Sequence, residues 1–409
     1  MLVTLHAFAF CFSAKADTSL KNDSTKKDSI KIDAGATQKD LKDVVARVAG
    51  NHKLPGISDE KKSNKGPIFL SFLPGFGYSE PTGFYGSVSV NASFFANNDT
   101  ANNLSSINSF VNYTQHNQVI LPIISTMWLH DDKYCLTGDW HYYKYPSYSY
   151  DLGMNSPLNS ADFIDYSYIR FWQTMYRRFS HNVFFGGGYA LDYHFNIHDY
   201  GMADSTKESA FKKYGQTNSS VSSGFTLNFL YDDRRNPNNP KKGHYLNITY
   251  RDNLTLLGSD RNWQSLLIDA RKYFRLPGRY GNVLALWSYD WFTLKGTPPF
   301  FDLPGIGWDA NSNTGRGYVQ GRFRGRNMMY FEAEYRFNLT PNGLFGGVIF
   351  SNIQSFSEEP DNRFMTVAPG FGGGIRIKFN KYSDTNAAID YGVGIGGSHG
   401  FLFNLCEVF

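Results

Sequence analysis

The sequence predicts an all-β fold, a closed transmembrane antiparallel β-barrel of about sixteen strands. Three observations carry that expectation. Aromatic residues make up 17% of the 409 positions, with 35 Phe and 27 Tyr, yet the mean hydropathy is negative. A polar chain rich in aromatics suits a protein whose outer surface, not its interior, faces an apolar medium. No stretch approaches the roughly 20 apolar residues that a spanning helix needs, and lipid leaves unpaired backbone groups without partners, so a membrane role requires a barrel. From Pro67 onward, finally, apolar residues recur at every second position, the period of a strand.

Taken in order, the chain opens with an apolar run, Leu2–Phe12, ending in Ser13-Ala14-Lys15-Ala16. That ending is an A-x-A-like cleavage site, so residues 1–16 read as a secretory signal peptide, although the usual basic start is missing. Residues 17–66 are rich in Lys, Asp, Ser and Asn and nearly lack aromatics, the composition of a largely disordered segment, expected on the periplasmic side. Within it, Leu41, Val44, Val45 and Val48 recur at helical spacing. A helix that short is marginal by itself. Residues 67–409 are assigned to the barrel.

Strands are expected near 67–79, 83–96, 105–116, 117–130, 133–146 and 162–179. More follow near 181–194, 219–233, 244–253, 263–276, 281–294 and 327–339, and the last near 343–356, 369–380, 385–395 and 400–409. The alternation is plainest at 328–339, where Met329, Phe331, Ala333, Tyr335, Phe337 and Leu339 oppose Tyr330, Glu332, Glu334, Arg336 and Asn338. It recurs at 371–379, with Arg376 and Lys378 on the polar face, and at 387–395, with Asp390 there. Alternate side chains point to opposite faces, so these are lipid and lumen registers. Two long connections stand out, 195–218 and 295–326. At the end of the chain, Phe401, Phe403, Leu405 and Phe409 share a face interrupted by Glu407. A terminal strand closing on an aromatic resembles the signal by which outer-membrane barrels are recognised for insertion.

Three stretches go beyond a generic barrel. Tyr231-Asp-Asp-Arg-Arg-Asn-Pro-Asn-Asn-Pro-Lys-Lys-Gly-His-Tyr245 joins two strands, and the spacing of Asp233, Arg234, Pro240 and Gly243 predicts a tight turn. Gly315-Arg316-Gly317-Tyr318 lies in the loop 295–326, after Leu303-Pro-Gly-Ile-Gly307. Tyr330-Phe-Glu-Ala-Glu-Tyr-Arg-Phe337 follows it, and then Gly346-Gly347-Val-Ile-Phe350. Together these resemble the BamA/TamA superfamily of outer-membrane assembly and translocation barrels, most closely its compact Bacteroidota versions, over residues 67–409. The resemblance implies that the loop folds back into the lumen, where its arginine, here Arg316, meets carboxylates on the inner wall. Gly315 and Gly317 would then allow close backbone approach.

Two departures from that family matter. Its following strand often reads Phe-x-Asp-x-Gly, the Asp being a usual partner of the loop arginine, whereas this chain has Phe350-Ser351-Asn352-Ile353-Gln354. Glu332 or Glu334 is the expected substitute, because period two aims both into the lumen and a buried arginine needs a carboxylate. Residues 17–66 are also too short and polar for one folded polypeptide-transport-associated domain, so another subunit is expected to receive substrates.

The resemblance implies an integral outer-membrane protein that assists assembly, insertion or translocation of other proteins within a larger machinery. Its mechanism would be a weak seam between strands 67–79 and 400–409, with Gly75, Gly77 and Gly400 loosening the pairing. The alternatives are a non-catalytic structural subunit of an outer-membrane complex, or a gated channel plugged by loop 295–326. Expected partners are outer-membrane lipids and other outer-membrane or periplasmic assembly proteins. Nucleic acid is disfavoured, because a net charge of +4 comes without any basic run interleaved with aromatics. The histidines are scattered, no Gly-x-Ser-x-Gly elbow occurs, and Cys135 and Cys406 fit no metal or redox spacing. The sequence therefore gives no reason to expect an enzyme, a metal, a cofactor or a small-molecule substrate.

Overall fold

Period-two alternation is realised along nearly the whole chain after residue 68. The computed structural model describes residues 38–41, 43–44, 68–79, 81–95, 103–202, 208–215, 217–277, 281–358, 361–381 and 383–409. The expected leader at 1–16 and most of the segment 17–66 lie outside the described residues. The first strands are β1 (Phe69–Ser79), β2 (Gly83–Phe95), β3 (Leu104–Thr114), β4 (Val119–Leu129), β5 (Tyr134–Lys144) and β6 (Ser147–Ser149). The middle of the wall is built from β7 (Asp162–Ser180), β8 (Val183–Met202), β9 (Ser220–Asp232), β10 (Gly243–Asn253), β11 (Trp263–Arg275) and β12 (Val283–Gly296). Completing it are β13 (Asn327–Asn338), β14 (Phe345–Glu358), β15 (Arg363–Phe364), β16 (Ala368–Asn380), β17 (Thr385–Gly394) and β18 (His399–Leu405).

The described residues thus form 18 strands, more than expected, and the surplus is β6 and β15, with 3 and 2 residues. Each is an offshoot of a long hairpin, paired to β7 and β14 respectively. All long strands pair antiparallel with their neighbours in chain order. Outward side chains are apolar and exposed, among them Phe72, Phe171, Leu227, Phe331, Ile353 and Phe371. So large an apolar exterior marks a lipid-facing surface. Inward positions are buried. Trp287, Tyr330, Phe356 and Phe409 cluster on one side of the lumen, and Tyr145, Tyr166, Phe300 and Leu303 on another.

Closure departs from expectation. β18 pairs with β17 from Ala387↔Leu405 to Val393↔His399, and β1 pairs with β2. β1 and β18 themselves lie side by side with no backbone ladder among the described residues. Two local features explain the gap. Pro74 in the middle of β1 has no N–H to give to a ladder, a device characteristic of edge strands. β18 is short, because Cys406 adopts a φ of 94° and turns the chain away from the wall.

The same turn corrects the terminal-strand expectation. Phe401 is exposed and Phe403 and Leu405 are half-buried, but Phe409 is 3% exposed inside the lumen, its ring stacked 5.1 Å from Trp287. Sequence alternation carried the face past Leu405, where an ion pair of Glu407 with Arg376 (2.7 Å) draws the tail inward instead. The long connection expected at 195–218 also begins later. β8 runs on to Met202 because the start of β7 needs a partner, as in Ile164↔Asp199 and Asp162↔Met202.

Candidate functional site

The connection between β12 and β13, residues 297–326, folds into the lumen and carries the Gly315-Arg316-Gly317-Tyr318 motif. Its shape is set locally. The Asp309 carboxylate accepts from the backbone N–H groups of Asn311, Asn313 and Thr314 and from the Thr314 hydroxyl, at 2.7–3.2 Å. Thr314 also accepts from Gly307 N. A loop with its own hydrogen-bonded frame presents Arg316 at a fixed point.

The Arg316 side chain is 1% exposed and meets three carboxylates. It pairs with Glu332, with Glu334 at 2.6 Å and with Asp390 at 2.8 Å, and its guanidinium lies 3.6 Å from the Phe350 ring centre. The cluster continues toward the chain termini. Arg336 binds Glu334 (2.6 Å), and Arg376 binds Asp390 (2.5 Å) and Glu407 (2.7 Å). Arg336 also donates to the carbonyl of Phe409 at 2.9 Å. Loop tip, wall and C-terminal tail therefore share one network of alternating charge. Such burial is tolerable only when every charge is matched, and losing one partner costs about 3–5 kcal/mol.

The structure brings Arg316 together with Glu332 and Glu334, and it adds Asp390, Arg376 and Glu407. Alternation had already aimed Asp390 and Arg376 inward. What it could not show is that β17 lies opposite the loop tip. The aspartate missing from Phe350-Ser-Asn-Ile-Gln354 is supplied from β17. Asn352, at the vacated position, donates instead to the Arg316 carbonyl at 2.9 Å.

Glycine spacing was a second missed signal. Gly370, Gly372, Gly374, Gly392 and Gly394 occupy alternating positions on neighbouring strands, and the loop tip lies against this side-chain-free strip. A Cβ on Gly392 would sit 2.6 Å from the Gly317 nitrogen, and one on Gly317 (φ 101°) 2.9 Å from the Val393 backbone. Tyr318 crosses the strip, donating to the Pro369 carbonyl (2.5 Å) and accepting from Ile395 N (3.0 Å).

The segment with Asp233, Arg234, Pro240 and Gly243 is not a tight turn. Residues 233–242 reach across the end of the barrel to the 381–384 turn, where Lys241 pairs with Asp384 (2.6 Å) and Asn236 donates to the Ser383 carbonyl (3.0 Å). Glu407 N donates to the Asn238 carbonyl at 3.0 Å. β9 and β10 lie several strands from β16 and β17, so the loop must pass beneath the lumen. Arg234 folds back on Asp232 (2.8 Å) and over Tyr245, and Gly243 (φ 118°) leaves room for Asp233. Burial works to raise the Asp384 pKa, but Lys241 and Lys378 together outweigh it and hold the carboxyl low.

The same end receives the start of the described chain. Lys39 N donates to the Asn342 carbonyl (3.2 Å), and Lys381 binds Asp40 through its N–H (3.1 Å) and Asp43 through Nζ (2.8 Å). The helical residues Leu41, Asp43 and Val44 thus follow a segment docked through Asp40 and Asp43, while Leu41 of the expected apolar stripe is exposed. Val45 and Val48 lie outside the described residues.

A sheet of this connectivity, with an inward loop pinned by a buried arginine, has the fold of the BamA-like barrels. Among solved structures it is similar to BamA from Haemophilus ducreyi lacking POTRA domains 1–3, with a TM-score of 0.55 and 15% identity over 83% of this chain and 70% of that one. CdiB from Acinetobacter baumannii gives 0.51 at 15% identity, covering 83% and 60%. CdiB from Escherichia coli gives 0.51 at 10%, with the same coverage of 83% and 60%. The chain therefore spans about three-fifths of the CdiB structures. No family model and no curated protein matches the sequence.

Proposed function

We propose that the protein is an integral outer-membrane barrel that assists assembly, insertion or translocation of other proteins, working with further outer-membrane or periplasmic subunits. The observation that carries this reading is the β1–β18 seam. It is the one junction between neighbouring long strands without a ladder among the described residues. Unpaired strand edges are templates for another chain, and here they adjoin lipid. The end bearing the chain's entry and exit is then periplasmic, with residues 1–16 as export leader and 17–66 as a periplasmic segment.

In this reading an incoming strand supplies the missing backbone partners along β1 or β18. The loop 297–326 keeps the lumen filled and the β13–β17 wall beside the seam rigid during the exchange. Photocrosslinking side chains at Leu70 and Phe401, on the seam strands, would capture client chains in growing cells. The same probe at Ile353, in the middle of the wall, would not. Absence of capture at the seam, or equal capture at all three positions, would favour the inert structural subunit instead.

A further inference from the structure

Across the lumen from the Arg316 cluster, a cavity separates the base of the loop from the barrel wall. Arg324, Trp308 and Asp302 line it from the loop, and His194, Arg251 and Asp192 from β8 and β10, with Arg170 of β7 beside them. Most of these groups are matched. Asp192 accepts from Arg251, Tyr168 and Trp172 and lies 3.5 Å from Arg170. Asp302 accepts from the Ser222 hydroxyl at 2.5 Å.

Arg324 differs. It is 3% exposed, and its Nη1 donates to the carbonyls of Phe300 (3.0 Å) and Leu303 (3.3 Å). Among the described residues it makes no ion pair, and its Nε has no hydrogen-bond partner. Nε1 of Trp308 and Nδ1 of His194, itself 4% exposed, are likewise unpartnered. Of the three lining guanidinium groups, Arg251 and Arg170 share Asp192 and Arg170 also pairs with Asp139 (3.3 Å), which leaves Arg324 as the one without a carboxylate partner among the described residues. Water would satisfy the open donors, but it would leave the buried charge uncompensated.

We propose that this cavity is a binding site for a small oxyanion of the phosphate or sulfate type, which clamps the base of the loop to the wall. Arg324 supplies the counter-charge, and Trp308 and His194 complete the donor set. The loop is then held at two separate points, by carboxylates at its tip and by a bound anion at its base. The site differs from the Arg316 cluster in needing a ligand from outside the chain.

The test is thermal unfolding of the full chain in detergent, titrated with inorganic phosphate against chloride at matched ionic strength. The wild type should gain stability saturably, because a ligand specific to the folded state stabilises with a defined midpoint. General exclusion of phosphate from the surface would instead rise without saturating. Arg324→Gln should lose the saturable gain, read as the difference between phosphate and chloride so that any lowering of its melting temperature in chloride from the lost Phe300 and Leu303 hydrogen bonds drops out. Trp308→Phe should shift the phosphate midpoint upward by about tenfold, the loss of one hydrogen bond to a charged group. No saturable gain in the wild type, or the same gain in Arg324→Gln, would overturn the proposal.

Discussion

The wall behind β13–β17 and the seam between β18 and β1 are parts of the same sheet held in opposite ways. Along the first, backbone ladders join every pair of neighbouring long strands, with one bulge between Lys378 and Asn380, and a buried ionic cluster ties loop, wall and tail together. At the second there is no ladder, one strand carries Pro74, and the other stops at Leu405. The contrast teaches that the interior can stay fixed while one edge remains available. The interior contacts hold the loop and the tail after β18, but they supply no backbone pairing between β18 and β1.

The sharpest way to break that contrast is Arg316→Ala. It leaves Glu332 without a counter-charge and takes one of their cations from Glu334 and Asp390, which keep Arg336 and Arg376, and the expected loss is about 3–5 kcal/mol. A lowered unfolding temperature of the purified barrel checks the energy, and raised conductance in planar bilayers checks whether the loop is released. Next is Phe409→Ala, which removes the ring stacked on Trp287 and should cost about 3 kcal/mol, the low end for a buried phenylalanine because a chain end relaxes easily. The same melt measures it, and no change would mean that the tail is not anchored inside. Glu334→Gln weakens the contacts to both Arg316 and Arg336 and should cost about 2 kcal/mol. Gly317→Ala, with φ at 101° and no space over Val393, should cost at least ~1–2 kcal/mol. Its fingerprint would be faster proteolysis of residues 309–320.

The smallest expected effect lies at the chain's entry. The hydrogen bond from Lys381 holds the Asp43 carboxyl below its ordinary value of 3.8, with burial opposing. A folded-state pKa that is lowered contributes above the unfolded value and is lost as pH falls through the depressed one. Docking of residues 39–44 should therefore persist at neutral pH and loosen only in acid below about pH 4. A fluorophore beside Lys39 would report it, and Asp43→Asn should be undocked at every pH.

Most of the wall was legible because a lipid-facing strand writes its register into every second residue. Met329 and Phe331 against Glu332 and Glu334 left no other reading. Closure was not legible, since the missing ladder between the first and last strands depends on Cys406 entering a left-handed conformation as well as on Pro74 in β1. The inward tail had a visible hint in Glu407, a charge on an otherwise apolar face, whose partner Arg376 lies on another strand. Arg316 could be singled out by its motif. Asp390 as a third carboxylate depended on which strand faces the loop tip, a property of barrel curvature that no local pattern encodes.

The most direct test of the central claim is a pair of distance distributions in lipid nanodiscs from spin labels carried on genetically encoded non-natural residues, with the native cysteines kept. One pair spans the seam at Phe72 and Phe401, and the other spans the wall at Phe331 and Ile353, which are register partners. The account predicts a single narrow distance for the wall pair and a broad or two-peaked one for the seam pair. An equally narrow distance at both would mean that the seam is as fixed as the wall, and would contradict the account.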